Sequence, residues 1–149
     1  MSDLAERVLV LKKTPLFAGV LTDDLRVVAQ ELEEVHCLPG ERLFDRDDPS
    51  DRMYIVETGR VGIALEKGER PARFVAEMGP GEVVGEMGLL DDRPRSAAAH
   101  VLEDSRLLAL EKHKLRSLLV HYPDLALGLL RSLSLRLRAA NDRLREMQK

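Results

Sequence analysis

The chain is organised by one stretch, Val84-Gly85-Glu86-Met87-Gly88-Leu89-Leu90-Asp91-Asp92-Arg93-Pro94-Arg95-Ser96-Ala97-Ala98-Ala99. Met87 to Leu90 have helical character and are entered through Gly85 and Glu86. Asp91 to Pro94 read as a polar turn, and Arg95 and Ser96 then stand beside three alanines. A short helix entered through glycine offers backbone N–H groups that lack intrahelical partners. Gly85 and Gly88 have no Cβ, so they open the backbone to close approach. Arg95 adds a planar, permanently charged fork matched to phosphate oxygens. Glu86 opposes that purpose, because a carboxylate repels phosphate. It makes sense if the ligand also carries hydroxyl donors, as a ribose does. The stretch therefore reads as a small anion cradle; the bland alternative is a surface loop with an incidental Gly-Glu and Arg.

Composition narrows the function classes. At 149 residues the chain is expected to form one domain with a sizeable core. A net charge of −3 and an apolar share of 44% favour neither disorder nor general nucleic-acid affinity. No apolar run is long enough to span a membrane. The opening Met-Ser-Asp-Leu-Ala-Glu-Arg lacks the basic and apolar regions of a signal peptide. Cys37 is the single cysteine, which excludes an internal disulfide and leads us to expect a cytoplasmic protein. His36, His100, His113 and His121 have no ligand spacing, so no metal is expected. Nucleophile-elbow, zinc-protease and P-loop patterns are absent, and Glu86 with Arg95 lacks a nucleophile, so we expect no enzyme.

The flanking chain divides into three parts. Residues 1–34 are expected to be helical: an amphipathic helix over 4–12 ended by Thr14-Pro15, an apolar plug at Leu16-Phe17, and a helix to about Glu33 with Thr22 as N-cap. Residues 35–110 change texture. Short β-type runs alternate with turn signals: Arg42 to Phe44, Met53 to Glu57, Arg60 to Glu66, Arg73 to Glu77, Ala97 to Leu102 and Arg106 to Leu110. Their near-even spacing predicts an antiparallel barrel or jelly-roll, with the cradle at 84–99 inside it. Residues 111–149 are helical again, with a break at Tyr122-Pro123-Asp124. The fold class is therefore α+β: an antiparallel β-roll flanked by N-terminal helices and a long C-terminal helix.

The last helix carries Ala126, Leu130, Leu133, Leu137, Ala140, Leu144 and Met147, spaced alternately by four and three. That is a heptad seam, suited to a parallel homodimer. Otherwise the helix packs only on its own barrel, a task that Leu125 and Leu129 can perform.

The cradle resembles the phosphate-binding cassette of cyclic nucleotide-binding domains. G-E-M-G-L-L and P-R-S-A stand in register with that family's pattern, and P-G-E-R-L-F-D-R-D-D-P-S-D-R-M-Y-I-V-E-T-G-R-V is similar to the opening of its β-roll. Asp47 stands where the family often has glycine; an aspartate tolerates the left-handed conformation. Val84 and Ala99 also depart from the pattern, the latter beside the base pocket. The resemblance implies a ligand-gated sensor binding cAMP, or cGMP with less preference. It places Gly85, Glu86, Met87, Gly88, Arg95, Ser96, Ala97, Ile63 and Val75 at the ligand, and implies no further cofactor.

In overall order the chain resembles the sensor half of the catabolite activator family. That likeness puts Arg136 near the nucleotide and Asn141 where a polar residue reaches the partner subunit's ligand. Ala140 replaces a threonine that touches adenine. Both Arg136 and Asn141 can equally be solvated polar residues. No second helical pair follows the seam in this sequence, so we expect no DNA-reading element and no nucleic-acid partner. An effector protein is left unnamed. The alternatives are a regulatory segment of a longer protein, or a β-roll interaction module that no longer binds nucleotide.

Overall fold

The computed structural model describes residues 2–148. Helix α1 (Leu4–Lys13) starts at Asp3, whose side chain accepts from the Glu6 N–H at 2.8 Å. It ends where Thr14, extended at ψ 120°, precedes Pro15. A 3₁₀ turn, Pro15–Phe17, drives Leu16 and Phe17 into the interior, as the sequence predicts for an apolar plug. Helix α2 (Thr22–Glu31) is capped at Leu21 with no side-chain bond; Thr22 lies inside the helix, which corrects the expected N-cap. Asp23 and Asp24 still sit in its first turn, where they favour the dipole.

Eight strands follow: β1 (Glu33–Cys37), β2 (Arg42–Phe44), β3 (Arg52–Thr58), β4 (Val61–Ala64), β5 (Ala76–Met78), β6 (Val83–Val84), β7 (Ala98–Val101) and β8 (Ser105–Glu111). They form two antiparallel sheets, ordered β1-β8-β3-β6 and β2-β7-β4-β5. Strands β1 and β6 were not among the runs read from sequence, and β5 begins later than Arg73. Helix α3 (Met87–Asp91) interrupts the roll between β6 and β7. Helices α4 (Lys112–His121) and α5 (Pro123–Met147) complete the described chain. The fold is thus the β-roll with flanking helices and a long C-terminal helix. No helix among the described residues is long and apolar enough to cross a membrane.

The period of two on β3 and β8 sorts side chains into two cores. Met53, Ile55, Leu108 and Leu110 face the helices and meet Leu11, Phe17, Leu25, Val28, Leu115 and Leu125. Tyr54, Val56, Leu107 and Ala109 face the second sheet and meet Val61, Ala99 and Val101. Cys37 is buried in this second core, and its thiol is pushed up to about 11, chiefly by burial.

Helix α5 is anchored by its first third only. Leu125, Gly128, Leu129 and Ser132 are buried. The Gly19 N–H donates to Ser132 Oγ at 2.9 Å, and Arg131 Nη1 donates to the Gly19 carbonyl at 3.0 Å. A Cβ on Gly128 would lie 2.9 Å from that carbonyl oxygen, so glycine is what lets the helix approach so closely. Beyond Ser132, no described residue of α5 is buried.

Candidate functional site

A cavity of about 400 Å³ opens between the second sheet and α3. Gly85, Glu86, Met87, Gly88, Arg95, Ser96, Ala97 and Ile63 all line it, so one concavity collects eight residues singled out from sequence. Phe44, Ser50, Met78 and Val83 line it as well.

Arg95 is built in from several sides. Its backbone is tied to the turn after β2: its N–H donates to the Asp48 carbonyl at 2.8 Å, and its carbonyl accepts from the Asp47 N–H at 2.8 Å. That turn needs Asp47 at φ 73°, the left-handed conformation anticipated for an aspartate here. The guanidinium donates from Nη1 to the Gly85 carbonyl at 2.9 Å and from Nη2 to the Arg52 carbonyl at 2.5 Å. It lies over the Phe44 ring, 4.0 Å from the centroid, and Phe44 in turn stacks on Tyr54. Its nearest carboxylate, Asp51 Oδ1, is 3.5 Å away on an exposed side chain. Arg95 is only 5% exposed, and its Nε has no hydrogen-bond partner. Burial draws its pKa down, with Asp51 pulling the other way. This is a desolvated cation whose countercharge is loose and solvent-screened.

Glu86 is the residue before the first turn of α3, makes no side-chain capping bond, and lines the cavity. Its side chain is 18% exposed, and its Oε1 stands 3.6 Å from Arg136 Nη2 on α5. Arg136 is therefore brought to the cassette by the folded chain itself. Asn141, further along α5, is exposed and does not line the cavity. Val75 does not line it either: it lies between β4 and β5, 49% exposed, with its N–H on the Ile63 carbonyl at 2.8 Å. Its neighbour Phe74 takes the packed position, because Gly62 lacks the Cβ that would lie 2.6 Å from the Phe74 ring.

The two cassette glycines have nearer neighbours than any ligand. Gly85 adopts φ 79°, and a Cβ there would overlap Arg95 Nη1. A Cβ on Gly88 would overlap Ser50, whose hydroxyl donates to the Arg93 carbonyl at 2.7 Å. Their bareness lets the chain close on itself, and both glycines also line the cavity.

Site residues missed from sequence include Phe44, Ser50, Asp51 and Arg52. Phe44 had a signal, as the one aromatic in a short strand just before the turn that holds Arg95. The others act through a backbone carbonyl or a single close contact, which leaves no pattern.

The family model described as a cyclic nucleotide-binding domain matches residues 34–122. The CRP-like cAMP-activated global transcriptional regulator of Mycobacterium tuberculosis is 28% identical over 138 residues, 93% of this chain and 62% of that protein. The cyclic AMP receptor protein of Thermus thermophilus is 33% identical over 131 residues, 88% of this chain and 61% of that protein. The chain thus spans about three-fifths of the length of these curated relatives. Among solved structures, the N-terminal domain of a transcriptional regulator from Streptomyces coelicolor superposes with a TM-score of 0.79. It is 35% identical, with 91% of this chain and 94% of that one covered. The regulatory domain of Toxoplasma gondii PKA, solved with cAMP, shares the fold at a TM-score of 0.72 and 23% identity, over 79% of this chain and 46% of that one. With the family match covering more than half of its length, this chain belongs to the cyclic nucleotide-binding domain family.

Proposed function

We propose that the cavity binds cAMP in preference to cGMP, and that binding is read out through α5 in a parallel homodimer. One observation carries the reading: a permanently charged Arg95, desolvated beside the cavity with a loosely held countercharge. The cyclic phosphate is the anion that such a group favours. Glu86 accepts from the ribose 2′-hydroxyl, and its proximity to Arg136 supports a role for α5 in sensing the occupied site. The preference for cAMP rests on the names of the two bacterial relatives. The dimer rests on the exposed apolar stripe of α5, where Leu130 and Leu137 are 61% and 63% exposed. Residues 1–149 act as one such sensor unit, and the effector it controls is a further protein or segment.

Calorimetric titration with cAMP, cGMP and 2′-deoxy cAMP tests the site. cAMP should bind most tightly, and the 2′-deoxy analogue more weakly, with the gap narrowing in Glu86→Ala. No binding of either cyclic nucleotide would falsify the proposal. Sedimentation tests the seam: wild type should be dimeric and Leu133→Glu monomeric, because two like charges would meet across a symmetric interface. A monomeric wild type, with or without ligand, removes the seam.

A second reading has one observation behind it. Arg95 already rests on two backbone carbonyls, as it would in a roll that has kept its architecture and lost its ligand. The same titration separates the two.

A further inference from the structure

Helix α3 has five residues, too few to hold a helical shape unaided. At its ends, the Leu89 N–H reaches the Glu86 carbonyl at 3.3 Å and the Asp92 N–H reaches the Gly88 carbonyl at 3.1 Å. Something outside must fix it. Part of the answer is Leu89, fully buried in the core beneath the helices. The C-terminal end is held by charge. Asp92 ends the helix at φ 61°, and its Oδ1 meets both Lys112 Nζ and Arg116 Nη2, the latter at 2.8 Å. The same Arg116 nitrogen donates to the Leu89 carbonyl at 3.2 Å, one of the carbonyls a helix end leaves without a partner.

Lys112 and Arg116 are four residues apart on α4, so both present to one face. Lys112 does more. Its backbone N–H donates to the Asp51 carbonyl at 2.9 Å, and the Asp51 carboxylate is the one beside Arg95. The first turns of α4 therefore touch the end of the cassette helix directly and the buried arginine through one residue. A groove of about 460 Å³ runs along this junction, bordered also by Asp47, His113 and Pro94. Lys112 and Arg116 hold the Asp92 carboxyl below the usual carboxylate range.

We propose that Asp92 is a positioning residue for the nucleotide site: with Lys112 and Arg116 it clamps the C-terminal end of α3 to α4, and so fixes the cassette against which the ligand binds. None of the three side chains lines the cavity, so each acts through α3 and not by contact with ligand. The proposal rests on the cyclic nucleotide reading given above.

Asp92→Asn is the cleanest test, because asparagine also accepts the left-handed conformation and only the charge is lost. Hydrogen exchange without nucleotide should speed up at the amides of Leu89 and Asp92. Affinity for cAMP should fall about three- to tenfold, the scale of a doubly partnered but solvent-exposed carboxylate. Arg116→Ala should do the same, and the double variant should be no worse than either alone, as expected of residues acting together. Unchanged exchange in Asp92→Asn overturns the clamp. Faster exchange with wild-type cAMP affinity overturns its role in binding. If wild type binds no cyclic nucleotide, the functional reading falls, and the role in binding with it; the exchange result then decides only whether the clamp exists.

Discussion

The two faces of the first sheet are packed to different ends. On the helical face, Met53, Ile55, Leu108 and Leu110 meet Phe17, Leu11 and Leu25, all at most 1% exposed. Large side chains interdigitate there. On the inner face, Tyr54, Val56, Leu107 and Ala109 meet Val61, Val84, Ala99 and Val101, and the 400 Å³ cavity opens at the edge of this second core, where Val84, Phe44, Ile63 and Met78 line it. The same two strands supply both faces by alternation alone. The helical side of the sheet carries the larger filled core, and the cavity opens on the other side, at the edge of the smaller one.

Substitutions on each face should separate these roles. Phe17→Ala attacks the filled side and should cost about 3–5 kcal/mol of stability. Urea unfolding should register that loss, while the surviving folded protein keeps its cAMP affinity. Arg95→Ala attacks the hollow side. Losing one partner of a desolvated charge pair costs about 2–5 kcal/mol, read by calorimetry as a drop of about 30-fold or more in cAMP affinity. Arg95→Lys should also weaken binding, since a point charge cannot serve two carbonyls and an anion with the geometry of a fork. If Arg95→Ala lowers the melting temperature more than Phe17→Ala does, the division of labour is wrong.

Phe44 sits on the boundary, as lining of the cavity and as the floor under Arg95. Phe44→Leu should remove a cation–π contact of about 0.5–2 kcal/mol, and Phe44→Tyr should restore most of the lost cAMP affinity. Equal affinities in all three proteins would leave the ring as filler only. The smallest effect concerns His100, on the sheet that walls the cavity. It is 3% exposed, has no partner at Nε2, and lies edge-on to Phe74. Burial, helped by Arg42 and opposed by Asp45, draws its pKa below the usual 6.5. The unfolded chain therefore takes up this proton first as the pH falls. The contribution is fully present above about 6.5 and is lost as the pH drops through the folded value. His100→Gln should flatten that part of a stability-versus-pH curve; a slope identical to wild type assigns it to other groups.

The roll was legible because its information is local. Short β-type runs such as Met53 to Glu57 and Arg106 to Leu110, bounded by turn signals, need no knowledge of distant residues. Asp47 was legible through the family likeness, since an aspartate tolerates the left-handed backbone where the family often has glycine. What escaped depends on partners far along the chain. Val83–Val84 is too short to show a period, and counts as a strand only because β3 lies beside it. Phe74 displaced Val75 because Gly62, distant in sequence, leaves room for its ring. The contact that bars a Cβ from Gly88 was also hidden, because Ser50 lies far from it along the chain. Arg136 was placed only through family likeness, as no pattern around it points to Glu86.

Helix α5 has a mechanical consequence. Its burial stops at Ser132, while the helix continues to Met147. At 1.5 Å per residue the unburied part is a rod about 22 Å long. A tilt of about 10° at the Gly19–Gly128 fulcrum would swing the far end of a rod with that rise per residue by about 5 Å. The ion pair between Glu86 and Arg136 grips this rod close to its pivot. On the proposed readout through α5, an adjustment at the Glu86–Arg136 contact would be enlarged at the far end of the rod.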